Sequence, residues 1–438
     1  MTTRRQALKV AAPGADEGVS TLELFFDLVF VFAVTQLTQL LLASGGAQGY
    51  ARAALVLAVT WWMYDGYAWL SNNVGPRTTS TRLPMLVAMA CFLVMAIATP
   101  EAFGDAAWAF AIAYLVVVLV HAASFARSTV GGSAVAVRGI LPVNLAAALC
   151  LVGAAAAGED HGWIGWVAAV SVLGLSVALR REAGFTIRPG HFAERHQLLI
   201  IIALGETVVA TGVGAQDHIT DAAVLTAAIL SLALIAAMWW VYFTGDDERA
   251  LERLEASPPE RMSSDALWAY GLAHPVMIAG LVMVAAGLHE VVHAPGHHLA
   301  ARWAWTMAGG LAVYLAGEAM FRRRLGGGPV APTLLAGAAC LLTVPLGTAG
   351  SGLAQLAGLT ALLVVWLVLR AAREAPAQVV LRWHLELGCV PIPKSSDPSR
   401  MRENLSVFDF ALAPDEVTML SALDRGEAAA VDSDAYGH

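Results

Sequence analysis

The chain has 438 residues, 58% of them hydrophobic and only 14% charged, where an ordinary soluble domain carries about 25% charge, and its mean hydropathy is +0.65. That balance marks a membrane protein and excludes a single soluble globular enzyme or a disordered chain, while a net charge of -8 without any basic patch excludes a nucleic-acid binder. Charge is concentrated beyond Arg370, so only the tail has soluble composition.

In chain order, an N-terminal arm (1–20) leads into apolar stretches near 22–42, 51–70, 84–100, 106–126, 139–157, 162–180, 196–213, 222–243, 265–287, 299–321, 330–348 and 352–370. Each approaches the roughly 20 residues that a helix needs to cross about 30 Å of hydrocarbon. The runs are continuous, not alternating, which selects helices over barrel strands. The expected fold is therefore an all-α polytopic membrane protein of about twelve transmembrane helices (21–370), followed by a tail (371–438). The first run is too long and too acidic for a signal peptide. Cys91, Cys150 and Cys340 lie in apolar runs and Cys389 in the tail, which reads as reduced thiols.

Arginine positions set the orientation, because cytoplasmic loops retain basic residues. Arg4 and Arg5 precede the first span; Arg77 and Arg82, Arg127 and Arg138, Arg180 to Arg195, Arg249 to Arg261, and Arg322 to Arg324 follow the even-numbered spans. Both termini are expected to be cytoplasmic. Arg52 and Arg302 fall on the opposite side, each at a span end from which it can snorkel. Trp61-Trp62-Met63-Tyr64 returns as Trp239-Trp240-Val241-Tyr242 six spans later, which suggests a 6+6 parallel repeat of the kind transporters use.

Ionisable groups inside a span cost about 2.5–3.5 kcal/mol at the helix centre and need a partner or a wet cavity. Glu23 and Asp27 share one helical face, with Gln36 and Gln39 further along; Asp65 lies in the second span. Glu194-Arg195-His196 opens the seventh span, and Gly205-Glu206-Thr207 lies about ten residues deeper, on roughly the face of His196. His121, Asn144, His274 and Glu318 are further intramembrane polar candidates, of which His121 and Asn144 are read as buried pairing groups. Glu23, Asp27, Asp65, His196 and Glu206 are the candidates for an ion or proton path.

The stretch Glu23-Leu24-Phe25-Phe26-Asp27-Leu28-Val29-Phe30-Val31-Phe32-Ala33, with His191-Phe192-Ala193-Glu194-Arg195-His196 and Ala203-Leu204-Gly205-Glu206-Thr207, resembles the bacterial low temperature requirement protein A family over residues 18–370. The resemblance implies a polytopic inner-membrane protein. It implies no molecular activity, since the family's name records a growth phenotype.

Two further motifs point elsewhere. His289-Glu290-Val291-Val292-His293, with His297 beyond, has the spacing of a zinc-peptidase helix, but Pro295 and Gly296 break the chain at once, so no metal centre is expected there. In the tail, a helix at 376–384, a strand at 389–393 and a helix at 399–407 resemble the C-terminal end of the aldo-keto reductases over about 375–424. That resemblance implies Lys394, Ser395, Arg400, Glu403 and Asn404 as contacts to the 2'-phosphate end of NADP. The family's catalytic residues would lie upstream, where this chain has only apolar spans, and one strand cannot close an eight-stranded barrel. A fusion relic, a docking segment and a nucleotide sensor are the readings of the tail, in that order. No cofactor is expected unless the tail is functional.

The functional expectation is a proton- or cation-linked transporter or channel for a small solute or ion, with Asp27 and Glu206 titrating in one cavity between the six-helix halves. The alternatives are a membrane-tethered reductase and a structural or signalling membrane protein. Bilayer lipid and a small solute or ion are the expected partners.

Overall fold

The computed structural model describes residues 18–44, 46–76, 78–126, 131–179, 187–216, 220–243, 246–326, 330–374, 376–395, 398–408, 412 and 414–423. The chain divides into two units, Met1–Val364 and Val365–His438. Among the described residues every regular element is a helix. The expectation of an all-α membrane domain stands on this and on nine segments, among the described residues, that are long and apolar enough to cross a membrane.

Those nine include α1 (Thr21–Ala43), α3 (Thr79–Ala98), α4 (Ala107–Ala126), α5 (Gly131–Leu179), α6 (Pro189–Ala215) and α7 (Ala222–Tyr242). The long apolar segment Pro259–His293 contains α9 (Pro259–Ala266) and α10 (Ala273–His293), preceded by the short α8 (Asp246–Glu255). The last two spans contain α12 (Ala331–Cys340) and α13 (Gly352–Glu374). Nine is fewer than the twelve expected, for identifiable reasons. The helices α2 (Gly46–Asn73) and α11 (Ala301–Phe321) are 28 and 21 residues long, but they carry Arg52, Asp65, Ser71 and Asn72, and Arg302 and Glu318, which dilute their apolarity. In α5 the helix reverses at Gly158 (φ 71°, ψ -174°), a conformation essentially confined to glycine. Its two arms then meet backbone to backbone: a Cβ on Gly165 would lie 2.5 Å from the Cys150 carbonyl oxygen.

The bundle centre is built by α1, which packs on α2, α3, α6 and α10, while α10 packs along α11. Large apolar side chains such as Ile97, Ile112, Leu149, Val209, Ile229 and Leu335 stay exposed on the outer faces, as lipid-facing side chains do. Ser20 caps α1 through a reciprocal capping box with Glu23. Between α9 and α10, Leu267–Leu272 is a π-helical turn. Its cause is local: Pro275 has no N–H to give the Gly271 carbonyl, and the Trp61 indole N–H donates to it instead at 2.7 Å.

In the second unit, α14 (Pro376–Glu386) packs on α15 (Pro398–Leu405) and α16 (Pro414–Ser421). The Trp383 indole donates to Ser421 Oγ at 3.0 Å, and Arg382 donates to the Val407 carbonyl at 3.2 Å. The two expected helices are present. The expected strand at 389–393 is not: the segment forms no β ladder among the described residues, because a lone strand has no neighbour to take its N–H and C=O groups. The α/β reading of the tail is corrected to a helical one.

Candidate functional site

The first turns of α6 present two faces one residue apart. His191 and Arg195, four residues apart, point to α1, while Phe192 and His196 turn toward α2 and α10. On the α1 side, Arg195 is fully buried. Its Nε and one terminal nitrogen donate to Asp27 Oδ1 at 3.1 and 3.0 Å; the other terminal nitrogen donates to Ser71 Oγ at 2.5 Å and stands 3.9 Å from Glu23. Tyr64 donates its hydroxyl to the same Asp27 oxygen at 2.9 Å, and the guanidinium lies over the Phe26 ring at 5.4 Å. Glu23 receives the Ser20 hydroxyl at 2.7 Å and His191 Nε2 at 3.1 Å. The Asn72 amide meets His191 Nδ1 at 3.3 Å, which assigns the His191 proton to Nε2. This is a closed ionic knot joining α1, α2 and α6.

On the other face, His196 sits in a ring of aromatic side chains, Phe192, Tyr270, Trp61 and His274. Its Nδ1 is 2.9 Å from the Phe192 carbonyl, and its Nε2 is 3.3 Å from Asp65 Oδ1. A carbonyl can only accept, so Nδ1 carries a proton and Nε2 faces the Asp65 carboxylate. Asp65 Oδ2 accepts the Trp69 indole N–H at 3.1 Å. His274 is closed off differently: its Nδ1 faces the Ala269 carbonyl at 3.0 Å, and Tyr242 meets its Nε2 at 2.9 Å.

Glu206 lies ten residues further along α6, a rise of about 15 Å. It is half-buried and lines a cleft of about 50 Å³ with Thr35, Thr38 and Gln39 of α1, Thr207 of α6 and His289 of α10, room for a few waters. No hydrogen bond or ion pair reaches its carboxylate among the described residues. The cleft is bounded by the C-terminal halves of α1, α6 and α10, three helices that run in the same direction. Asp65 lines a different cavity, near the N-terminal end of α6, bounded by α2, α4, α5 and the π-turn.

The expectation of one cavity shared by Asp27 and Glu206 is therefore corrected. Asp27 is fully buried and neutralised by Arg195, while Glu206 faces the opposite end of the helix. Glu23 belongs to the same knot as Asp27, and Asp65 and His196 form a pair of their own. Of the further polar candidates, Asn144 accepts the Trp62 indole N–H at 2.9 Å, His121 meets the Gly66 carbonyl at 3.0 Å, and buried Glu318 lies 3.6 Å from Arg322. His289 and His293 stack with ring centroids 5.9 Å apart at the end of α10, and His297 lies beyond the helix. Among the described residues no group of three or more His, Cys, Asp or Glu is placed to hold a metal ion. Sequence reasoning missed Tyr64, Ser71, Asn72 and His191. Their signal was faint but present: three consecutive polar residues, Ser71-Asn72-Asn73, close an otherwise apolar span.

The family model of the bacterial low temperature requirement A protein matches residues 18–370, a range that takes in every element of the site. The chain belongs to this family. An uncharacterized protein of Rhizobium meliloti is similar at 28% identity over 316 residues, covering 69% of this chain and 76% of that protein. Residues 360–425 match the aldo/keto reductase family. There the chain is similar to 2,5-diketo-D-gluconic acid reductase B of Corynebacterium, 63% identical over 51 residues, and to methylglyoxal reductase DkgA of Salmonella typhimurium, 48% identical over 64 residues. These matches cover 12% and 15% of this chain but only 18% and 23% of the reductases. A low temperature requirement A domain is thus followed by a segment similar to part of the aldo/keto reductases.

Proposed function

We propose that this low temperature requirement A protein is a proton- or cation-linked transporter or channel of the bacterial inner membrane. In this reading α2, α11 and the two arms of α5 complete twelve crossings in two halves, with both termini in the cytoplasm. The matched Tyr64 and Tyr242, each a buried hydrogen-bond partner of a polar group on a neighbouring helix, support the repeat. The observation that carries the proposal is the placement of ionisable groups along α6. Among the described residues Glu206 stands without a partner in one cleft, while Asp65, paired with His196 of α6, borders a cavity near the other end. A carboxylate held inside a bilayer without a counter-charge is costly to retain and marks an ion path. Glu206 would take an ion or proton from the outer side, and Asp65 with His196 would pass it to the inner side. The Glu23–Asp27–Arg195 knot would hold α1, α2 and α6 in register around that path.

The test is flux into proteoliposomes under a valinomycin-imposed potential, with a luminal pH dye for protons and radioactive sodium for cations. Wild-type protein is expected to carry one of them well above empty liposomes, and Glu206→Gln and Asp65→Asn are each expected to reduce that flux at least tenfold. Flux of both ions at the empty-liposome rate, or flux unchanged in the variants, contradicts the proposal.

The tail supports a second reading, a membrane-tethered NADP-dependent reductase. Its residues do not fit that cofactor: Lys394 and Arg400 are exposed on a segment that forms no strand ladder among the described residues. No reductase step is derived from it.

A further inference from the structure

The cavity beside Asp65 has a composition that the ion path does not require. Among the described residues its wall holds Trp62, Trp69, Trp268 and Phe125 together with the Asp65 carboxylate, with His121, Asn144, Ser176 and Ser264 as further polar groups and no Lys or Arg. The indole N–H groups of Trp62 and Trp69 are already engaged, by Asn144 Oδ1 at 2.9 Å and Asp65 Oδ2 at 3.1 Å. What these rings have left to offer an occupant is apolar surface and π density. Trp268 is 47% exposed, so it forms part of the rim. The void is about 120 Å³, close to the ~150 Å³ that accommodates benzene in an engineered apolar cavity. A hydrated metal ion gains nothing from such walls, and an anion is repelled by the carboxylate. A compact cation that presents carbon to the rings and charge to Asp65 fits the aromatic and acidic walls together.

We propose that this cavity binds a small organic ammonium ion of about the size of tetramethylammonium. The inference rests on the transport reading in naming the class of its passenger. The ammonium head lies among the tryptophans and Phe125, with the Asp65 carboxylate as its counter-charge.

The experiment is equilibrium titration of the detergent-purified full chain by calorimetry, with tetramethylammonium, with choline, and with 3,3-dimethyl-1-butanol, the uncharged carbon analogue of choline. Saturable binding of both cations is expected, with the neutral analogue at least tenfold weaker. Asp65→Asn is expected to weaken choline at least tenfold. Trp268→Leu, at the exposed rim and outside the buried core, is expected to weaken it severalfold, and keeps the test valid if Asp65→Asn fails to fold. Absence of saturable binding, equal binding of the neutral analogue, or unchanged affinity in Trp268→Leu overturns the proposal. Binding without any flux in liposomes would overturn the transport reading and leave this site standing; flux without binding would do the reverse.

Discussion

Arg195→Met is expected to cost the membrane domain about 3–5 kcal/mol, because removing one member of a buried ion pair leaves the others as uncompensated charges in a low-dielectric interior. Arg195 has three roles in one place. It binds Asp27 through two nitrogens, neutralises Glu23 at longer range, and ties Ser71 of α2 to the knot. Methionine fills much of the same volume but leaves two carboxylates, both nearly inaccessible, facing each other's charge. The readout is the thermal midpoint of the detergent-purified protein, expected to fall steeply, with little protein recovered from membranes. Combining Arg195→Met with Glu23→Gln and Asp27→Asn removes the charges together and is expected to restore much of the loss, since a buried ion pair replaced as a unit is often nearly neutral. A single Arg195→Met variant that melts like wild type would show that the knot is not an electrostatic unit.

Gly280→Leu is expected to produce the second-largest loss, about 1–3 kcal/mol or more, by overpacking the seam between α10 and α11. In that seam a Cβ on Gly280 would lie 2.6 Å from the Gly310 carbonyl oxygen, and one on Gly310 would lie 2.8 Å from the Gly280 carbonyl. Gly287 and Gly317 repeat the contact seven residues along each helix: a Cβ on Gly287 would come within 2.5 Å of Met307 Cβ, and one on Gly317 within 2.8 Å of the Met277 backbone nitrogen. Backbones approach this closely only where side chains are absent, the usual basis of helix association in lipid. The neighbouring Gly309 supplies the control. A Cβ there meets nothing closer than Met283 Cε at 3.6 Å, so Gly309→Leu is expected to be tolerated. Thermal midpoints for the two variants decide it; equal effects would mean that the glycine seam does not hold the pair.

Much of the bundle was legible because apolar run length fixes a membrane helix almost by itself. The soft points were those where a local conformation overrides composition. The reversal inside α5 was legible in the polar Gly158-Glu159-Asp160-His161 break between the expected stretches 139–157 and 162–180, whereas the π-turn before Pro275 follows from a missing N–H whose orphaned carbonyl is satisfied by Trp61, a residue 210 positions away. The acids Glu23, Asp27, Asp65 and Glu206 were visible as charges in apolar runs. Their partners were not, because pairing between helices depends on packing that sequence spacing does not encode. Arg195 and His196 illustrate this: adjacent in sequence, they belong to separate networks, one a closed ionic knot and the other a His–Asp contact among aromatic rings. The strand expected in the tail failed for the opposite reason. Its local sequence suits a barrel strand, and the rest of the barrel is what such a strand needs in order to form.

In the proposed path Glu206 of α6 and Asp65, the partner of His196, border two cavities entered from opposite faces of the membrane. Cysteine accessibility tests it most directly, in a chain whose Cys91, Cys150, Cys340 and Cys389 have been replaced by serine. Glu206→Cys is expected to react with a membrane-impermeant maleimide from outside intact spheroplasts and not from inside, and Trp268→Cys is expected to react only in inverted membrane vesicles. Labelling of both positions from the same face, or labelling of neither from any face, would contradict it.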